Sequence, residues 1–153
     1  DLVRELAQKM LDYNVKPEIE VFDLSMLYQA LRLADEGMLK KPLHVQFVMG
    51  VKNAMPVIRQ AFDFMVDEVA RLSPESTWVA AGIGKHQLQV NRWCLERGGH
   101  CRTGLEDNIR WDETRLAASN AELVKRVADL CVEYGRHAAS PSEARAILGL
   151  PLP

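Results

Sequence analysis

Apolar and polar residues along the chain alternate between a helical spacing and short strand-like runs. Apolar residues at helical spacing predict helices over 2–11, 26–34, 86–96, 121–134 and 142–148, and a further helix that Asn53 caps and Ser73-Pro74 ends. Runs rich in β-branched and aromatic residues predict strands over 18–24, 43–49, 77–81 and 100–105. Asn120 is predicted to cap the helix that begins at 121, and Ser140-Pro141 to begin the last helix.

The order of these elements predicts the architecture. Four strand-then-helix units of roughly 25 to 35 residues imply parallel strands joined by right-handed crossovers. Two folds have this pattern: an open doubly wound sheet, or half of a (β/α)8 barrel, whose whole needs about 250 residues. Glu18 and Glu20 share one face of the first strand and Arg102 lies within the fourth, whereas strands of an open parallel sheet are usually continuous apolar runs. The polar strands therefore favour an α/β fold of the TIM-barrel type, with an edge strand capped by Glu18 and Glu20 as the alternative.

Composition and charge exclude several classes of function. The chain has 153 residues, of which 48% are apolar and 26% charged, as in an ordinary globular domain. A net charge of −2 without a basic tract argues against nucleic acid as a partner. No apolar run approaches the roughly 18 residues of a membrane span, so we expect no membrane partner. Cys94, Cys101 and Cys131 show no CxxC spacing, which indicates free thiols and a reducing, cytoplasmic location.

The densest group of reactive side chains lies in residues 98–108, GGHCRTGLEDN. Arg102, Glu106 and Asp107 fall at the end of a predicted strand and the start of its loop. Adjacent carboxylates repel each other, so a cation or a metal must offset that repulsion. The planar guanidinium of Arg102 can hold a carboxylate bidentately, and a carboxylate can bind zinc while its neighbour acts as a general base. The alternative is a surface turn, in which Glu106 and Asp107 begin a helix and Arg102 forms a local salt bridge.

The same stretch resembles the signature of the β-keto acid cleavage enzymes, GGH-x-R-x-GLEDN, and contains every fixed position of it. The resemblance continues in order through KPEIEVFDLSML, LHVQFVMGV, WVAAGIGKHQL and the tail that begins SNAELVKRVADL. It implies a zinc-dependent (β/α)8 barrel, usually oligomeric. The reaction it implies condenses a β-keto acid with acetyl-CoA, giving acetoacetate and a new CoA thioester.

The resemblance also implies roles for individual residues. Glu106 matches the glutamate that binds the metal, and Asp107 matches the general base that takes a proton from the carbon between ketone and carboxylate. Arg102 matches the arginine that binds the substrate carboxylate and supports Asp107. A glutamate of the first strand assists in the family; we assign Glu20, with Glu18 as the alternative.

One part of the family pattern is missing from this sequence. The family completes its zinc site with an H-x-H pair on an earlier strand, but the histidines here are scattered, at His44, His86, His100 and His137. The resemblance therefore implies that residues 1–153 are the carboxyl-terminal half of a single barrel domain, about the last four β/α units. We expect activity only with the amino-terminal half present, and a homo-oligomer. A noncatalytic half-barrel that assembles with a partner chain, and another metal-assisted barrel lyase or aldolase, stay open as alternatives.

Overall fold

The chain alternates between helices and parallel strands. In the computed structural model, which describes residues 2–151, the helices are α1 (Leu2–Asp12), α2 (Leu24–Asp35), α3 (Arg59–Leu72), α4 (Gln87–Glu96), α5 (Asn120–Glu133) and α6 (Pro141–Leu148). The strands are β1 (Glu18–Val21), β2 (His44–Met49), β3 (Thr77–Gly82) and β4 (His100–Cys101), and a 3₁₀ turn, Gly84–His86, precedes α4.

All four strands belong to one parallel sheet in the order β1-β2-β3-β4. Consecutive parallel strands, each followed by a helix, are the repeating unit of a (β/α)8 barrel. The predicted α/β fold is confirmed, and the sheet is consistent with half of such a barrel. Within residues 2–151, no helix has the length and apolar character that a bilayer crossing requires.

The two faces of the sheet differ in chemistry. On one face, Val45, Phe47 and Trp78 pack into the apolar core that the helices cover, together with Leu27 of α2 and Phe62 of α3. Side chains alternate along a strand, so their neighbours point to the opposite, inner face. That inner face carries Glu18, Glu20, His44, Gln46, Thr77 and His100. The apolar face packs into the core and stabilises the fold, and the polar face carries the side chains that could bind a ligand or react with it.

The first and last strands are shorter than predicted. β1 ends at Val21 rather than at residue 24 because Asp23 caps α2, its carboxylate accepting from the backbone of Ser25 at 2.8 Å. The fourth strand comprises only His100–Cys101, so Arg102 lies just beyond it, not within it. The Arg102 amide still donates to the Ala80 carbonyl at 3.3 Å, which fixes the start of the loop against β3.

Two predicted helix caps were wrong. Asn53 has a φ of 65° and forms a turn, while α3 begins at Arg59 after Ile58, which makes no capping side-chain bond. α5 is capped by Ser119, whose hydroxyl accepts from the Glu122 amide at 3.2 Å. The side chain of Asn120 instead accepts from the Leu105 amide at 2.8 Å and so holds the loop after β4. The cap predicted for α6 is confirmed, since Ser140 and Glu143 form a reciprocal capping box.

Cys94, Cys101 and Cys131 are free thiols, as predicted. Cys94 is buried in the core between α4 and the sheet, whereas Cys101 and Cys131 are half-buried. The Cys94 thiol lies 3.9 Å from the carbonyl oxygen of Ala80, on β3.

Gly99 sets how closely β4 approaches the core. A Cβ at this position would lie 2.2 Å from the ring of Trp78, which itself packs on Phe47 and Phe62 at 5.9 and 5.8 Å between centroids. Overpacking of this kind costs about 1–3 kcal/mol. We expect Gly99→Ala to lower the free energy of unfolding by that amount in urea denaturation, whereas the exposed Glu113→Gln leaves it unchanged. An unaltered midpoint in Gly99→Ala would contradict this packing.

Candidate active site

The polar cluster predicted from the sequence lies at the carboxyl end of the sheet, where the strands lead into their loops. Glu20 is on β1, and Arg102, Glu106 and Asp107 belong to the segment that follows β4. The amide of Gly84 donates to the carbonyl of Asp107 at 2.7 Å, which joins the loop after β4 to the loop after β3. This backbone hydrogen bond therefore fixes the main chain at Asp107 independently of its side chain.

Arg102 brings the three carboxylates together. Its Nε donates to Oδ2 of Asp107 at 2.8 Å and its Nη2 to Oδ1 at 2.7 Å, which is a bidentate pair. Nη2 also donates to Oε2 of Glu106 at 2.8 Å, and Nη1 donates to Oε1 of Glu20 at 3.1 Å. The hydrogen bonds to Asp107 are the main cause that raises the pKa of Arg102 above its ordinary value. The guanidinium therefore stays charged wherever the protein is folded.

The donors of Arg102 are almost fully used within the protein. A guanidinium has five N–H groups, and four of them make the bonds just described. The pair of donors expected to grip a substrate carboxylate is engaged by Asp107. Within residues 2–151, one N–H, on Nη1, makes no hydrogen bond and is left for a ligand.

The three carboxylates differ in exposure. The side chain of Asp107 is 3% exposed and that of Glu20 is 47% exposed, while Glu106 is 85% exposed. Asp107 is thus held rigidly, whereas Glu106 is open to an incoming ligand. Three carboxylates around one guanidinium also leave a formal excess of negative charge, which a cationic ligand would offset.

The two glutamates of β1 lie in different surroundings on the same face. Oε1 of Glu20 accepts from Arg102, whereas Oε1 of Glu18 lies 3.4 Å from Nε2 of His44, near the amino end of the strand. β1 and β4 are three strand spacings apart, about 14 Å across a flat sheet. The contact between Glu20 and Arg102 is therefore made across the inner face by two long side chains. Glu20 therefore belongs to the Arg102 cluster and Glu18 does not, a distinction that the sequence alone could not make.

Comparison with known proteins assigns the chain to a protein family. The model of the beta-keto acid cleavage enzyme family matches residues 1–150. The chain belongs to this family.

Curated relatives support the assignment. A 3-oxoadipate:acetyl-CoA acetyltransferase of Cupriavidus necator is 58% identical over 151 residues, which are 99% of this chain and 53% of the relative. A 3-keto-5-aminohexanoate cleavage enzyme of Fusobacterium nucleatum is 43% identical, over 97% of this chain and 53% of its own length. A 3-dehydrocarnitine:acetyl-CoA trimethylamine transferase of Rhizobium meliloti is 34% identical, over 97% of this chain and 48% of its own length. The chain thus spans about half the length of these β-keto acid cleavage enzymes.

Within residues 2–151, the cluster offers a metal ion one largely exposed carboxylate, that of Glu106, but no complete site. Residues 2–151 contain no group of three or more His, Cys, Asp or Glu side chains arranged to hold a metal ion. Glu106 fits zinc as a single donor, because carboxylate oxygens bind zinc and this one is exposed. A tight structural or catalytic zinc site needs at least three protein ligands, so the others would have to lie outside these residues.

Two glutamines support the cluster and were missed by the sequence analysis. Gln46 donates to Oε1 of Glu20 at 2.8 Å. Gln87, fully buried at the start of α4, donates to the Gly104 carbonyl at 2.9 Å and accepts from the Thr103 hydroxyl at 3.0 Å. The alternation of side chains along a strand could have identified Gln46, since it lies two residues after His44 and so shares the inner face of β2 with it.

Two half-buried histidines lie on the inner face near the carboxylate cluster. Nδ1 of His44 lies 2.8 Å from the Thr77 hydroxyl, and the His44 and His100 rings are 6.3 Å apart. Burial is the largest cause that lowers the pKa of both histidines below 6.5; Lys16 adds to it at His44, and Arg136 at His100. Both histidines are therefore neutral in the folded protein at neutral pH.

This burial makes stability depend on pH. In the unfolded chain, both histidines bind protons at the ordinary histidine pKa of about 6.5, whereas in the folded chain they bind protons only at lower pH. Protonation therefore lowers the free energy of unfolding as the pH falls below about 6.5. We expect the urea midpoint to fall between about pH 7 and pH 5, and this slope to flatten in the double variant His44→Asn, His100→Asn. His137→Asn, at a 79% exposed side chain, is the matched control and should keep the slope of the parent. Equal slopes in all three proteins would contradict the burial argument.

Proposed function

We propose that this chain is the carboxyl-terminal half of a zinc-dependent β-keto acid cleavage enzyme. The enzyme would condense a β-keto acid with acetyl-CoA and release acetoacetate and a new CoA thioester. The observation that carries the proposal is the bidentate pair of Arg102 with the buried Asp107, at the carboxyl end of a parallel sheet. Active sites of (β/α)8 barrels lie at that end. Because the chain spans about half of its relatives, activity would require the amino-terminal half as well.

The substrate class follows from the names of the relatives. The relative that is 58% identical is named for 3-oxoadipate and acetyl-CoA, and another for 3-dehydrocarnitine and acetyl-CoA. Both pair a 3-oxo acid with an acetyl thioester. We therefore propose a β-keto acid as the acyl donor, with 3-oxoadipate as the first compound to test.

Asp107 is the residue we propose as the general base. Each of its oxygens accepts one bond from Arg102, and a carboxylate oxygen has a second lone pair for a proton. Its fixed orientation supports proton abstraction from the carbon between ketone and carboxylate, since positioning of a base supplies much of its effect. The remaining N–H of Arg102 would bind the substrate carboxylate. Glu20, on the other side of Arg102, would assist in holding the substrate.

Glu106 is the residue we propose as a zinc ligand in this half. When bound, zinc polarises the ketone and stabilises the enolate. Glu106 is exposed, and only its Oε2 has a hydrogen bond within residues 2–151, so Oε1 is available. The formal negative excess around Arg102 supports the binding of a divalent cation there. The other ligands would belong to the amino-terminal half.

The function is tested by turnover in the protein that has both halves. Incubation of 3-oxoadipate and other β-keto acids with acetyl-CoA should yield acetoacetate. Asp107→Asn should lower kcat by about 10²- to 10⁴-fold, the usual effect of removing a positioned base, and should leave the zinc content intact. Asp129→Asn, at an exposed carboxylate of α5, is the matched control. Failure of the parent protein with every β-keto acid would overturn the function, and a normal kcat in Asp107→Asn would overturn the role of Asp107.

The proposed zinc ligand is tested by metal analysis. Glu106→Gln should lower the zinc retained after dialysis, because a neutral amide is a poorer ligand for a divalent cation. Glu113→Gln alters another exposed glutamate in the same loop and should retain the parent content. We also expect the 153-residue chain alone to bind zinc weakly and to lack turnover, since it offers one ligand. Full zinc retention in Glu106→Gln would contradict the assignment.

A further inference from the structure

Gln46 is a buried glutamine on the strand next to the one that carries Glu20. It lies on the inner face of β2, paired in register with Glu20 of β1 and with Val79 of β3. Gln46 is 3% exposed, and its side-chain amide makes a specific hydrogen bond: Nε2 donates to Oε1 of Glu20 at 2.8 Å. A buried amide with a bond to a half-exposed carboxylate points to a role beyond filling space.

Two donors converge on one oxygen of Glu20. Oε1 accepts from Gln46 and also from Nη1 of Arg102 at 3.1 Å. Within the described residues, Oε2 of Glu20 has no hydrogen bond. Because the side chain of Glu20 is half-exposed, its hydrogen bonds fix the rotation of its carboxylate more than packing does. Without the amide of Gln46, only the Arg102 contact would remain.

We propose that Gln46 is a positioning residue for Glu20: with Arg102 it pins Oε1, so that Oε2 is the oxygen presented to the substrate. This inference rests on the proposed function and extends it to a residue that acts through Glu20.

The chemistry of the amide suits this position. Three carboxylates already surround Arg102, so a fourth would add repulsion. A lysine or arginine at residue 46 would compete with Arg102 for Glu20. A neutral donor fixes Glu20 without changing the charge of the cluster or the pairing of Asp107. A glutamine therefore meets a requirement that neither a charged nor an apolar side chain of similar size meets.

The test uses two variants of the protein that has both halves. Gln46→Met keeps the size and removes the donor. We expect kcat to fall by about 10- to 100-fold, because a misplacement of about 1 Å can cost 10²-fold, with KM for acetyl-CoA unchanged. Gln46→Glu places a second carboxylate against Glu20, and the two would share a proton to higher pH. The acid limb of its kcat profile should therefore move to higher pH. Thr77→Val, which removes a hydroxyl from the same face at His44, is the matched control and should keep the parent kcat and profile.

A double-mutant cycle separates positioning from packing. In a Glu20→Gln background, Gln46→Met should cause little further loss of kcat, because the group that it positions is already altered. An equal loss in both backgrounds, or an acid limb of Gln46→Glu that coincides with that of the parent, would overturn the proposal. If Gln46→Met fails to fold, the pH profile of Gln46→Glu decides alone. A normal kcat in Asp107→Asn would instead refute the proposed base, and absence of turnover in the parent would refute the proposed function.

Discussion

The bidentate pair between Arg102 and Asp107 is the interaction on which the rest of the site depends. A buried carboxylate is stable only if its charge is matched and its oxygens accept hydrogen bonds, and Arg102 supplies both. The same guanidinium then holds Glu20 and Glu106 from different directions. Removing this cation would leave three carboxylates facing one another. The charge balance of the whole acidic cluster therefore depends on one arginine.

The scaffold determines where that arginine lies. The Arg102 amide is bonded to β3, and the carbonyl of Asp107 accepts from Gly84 in the loop after β3. Gln87 holds the segment between them through Thr103 and Gly104. The neighbouring strand and helix thus fix the loop at several points by backbone contacts and one buried amide. A short motif can carry reactive side chains in a constant arrangement because its main chain is bound this closely.

The sequence predicted the architecture and most of the cluster, for reasons that are local. Strand and helix patterns gave the order of the elements, and the spacing in GGHCRTGLEDN brought Arg102 and Asp107 together. Glu18 and Glu20 share the inner face, and Glu20 is the one that contacts Arg102, a difference along the strand that no local pattern records. The caps at Asn53 and Asn120 were wrong for a similar reason, because each asparagine takes part in a turn or loop contact that competes with capping. The roles of the site residues stay predictions.

The sequential order of the strands has a consequence for chain entropy. Within residues 2–151, each strand pairs with the strand that precedes or follows it along the chain, so the loop closed by each pairing is short compared with the whole chain and costs less chain entropy than a longer one. The bond between Glu20 and Arg102 is different, since it joins residues 82 positions apart. Closing a loop of that length costs more chain entropy than closing the loops between neighbouring strands, and pairing of the intervening strands shortens it. The reactive cluster therefore depends on the whole of this sheet: residues 1–99 contain β1 to β3 but lack the arginine that joins the carboxylates.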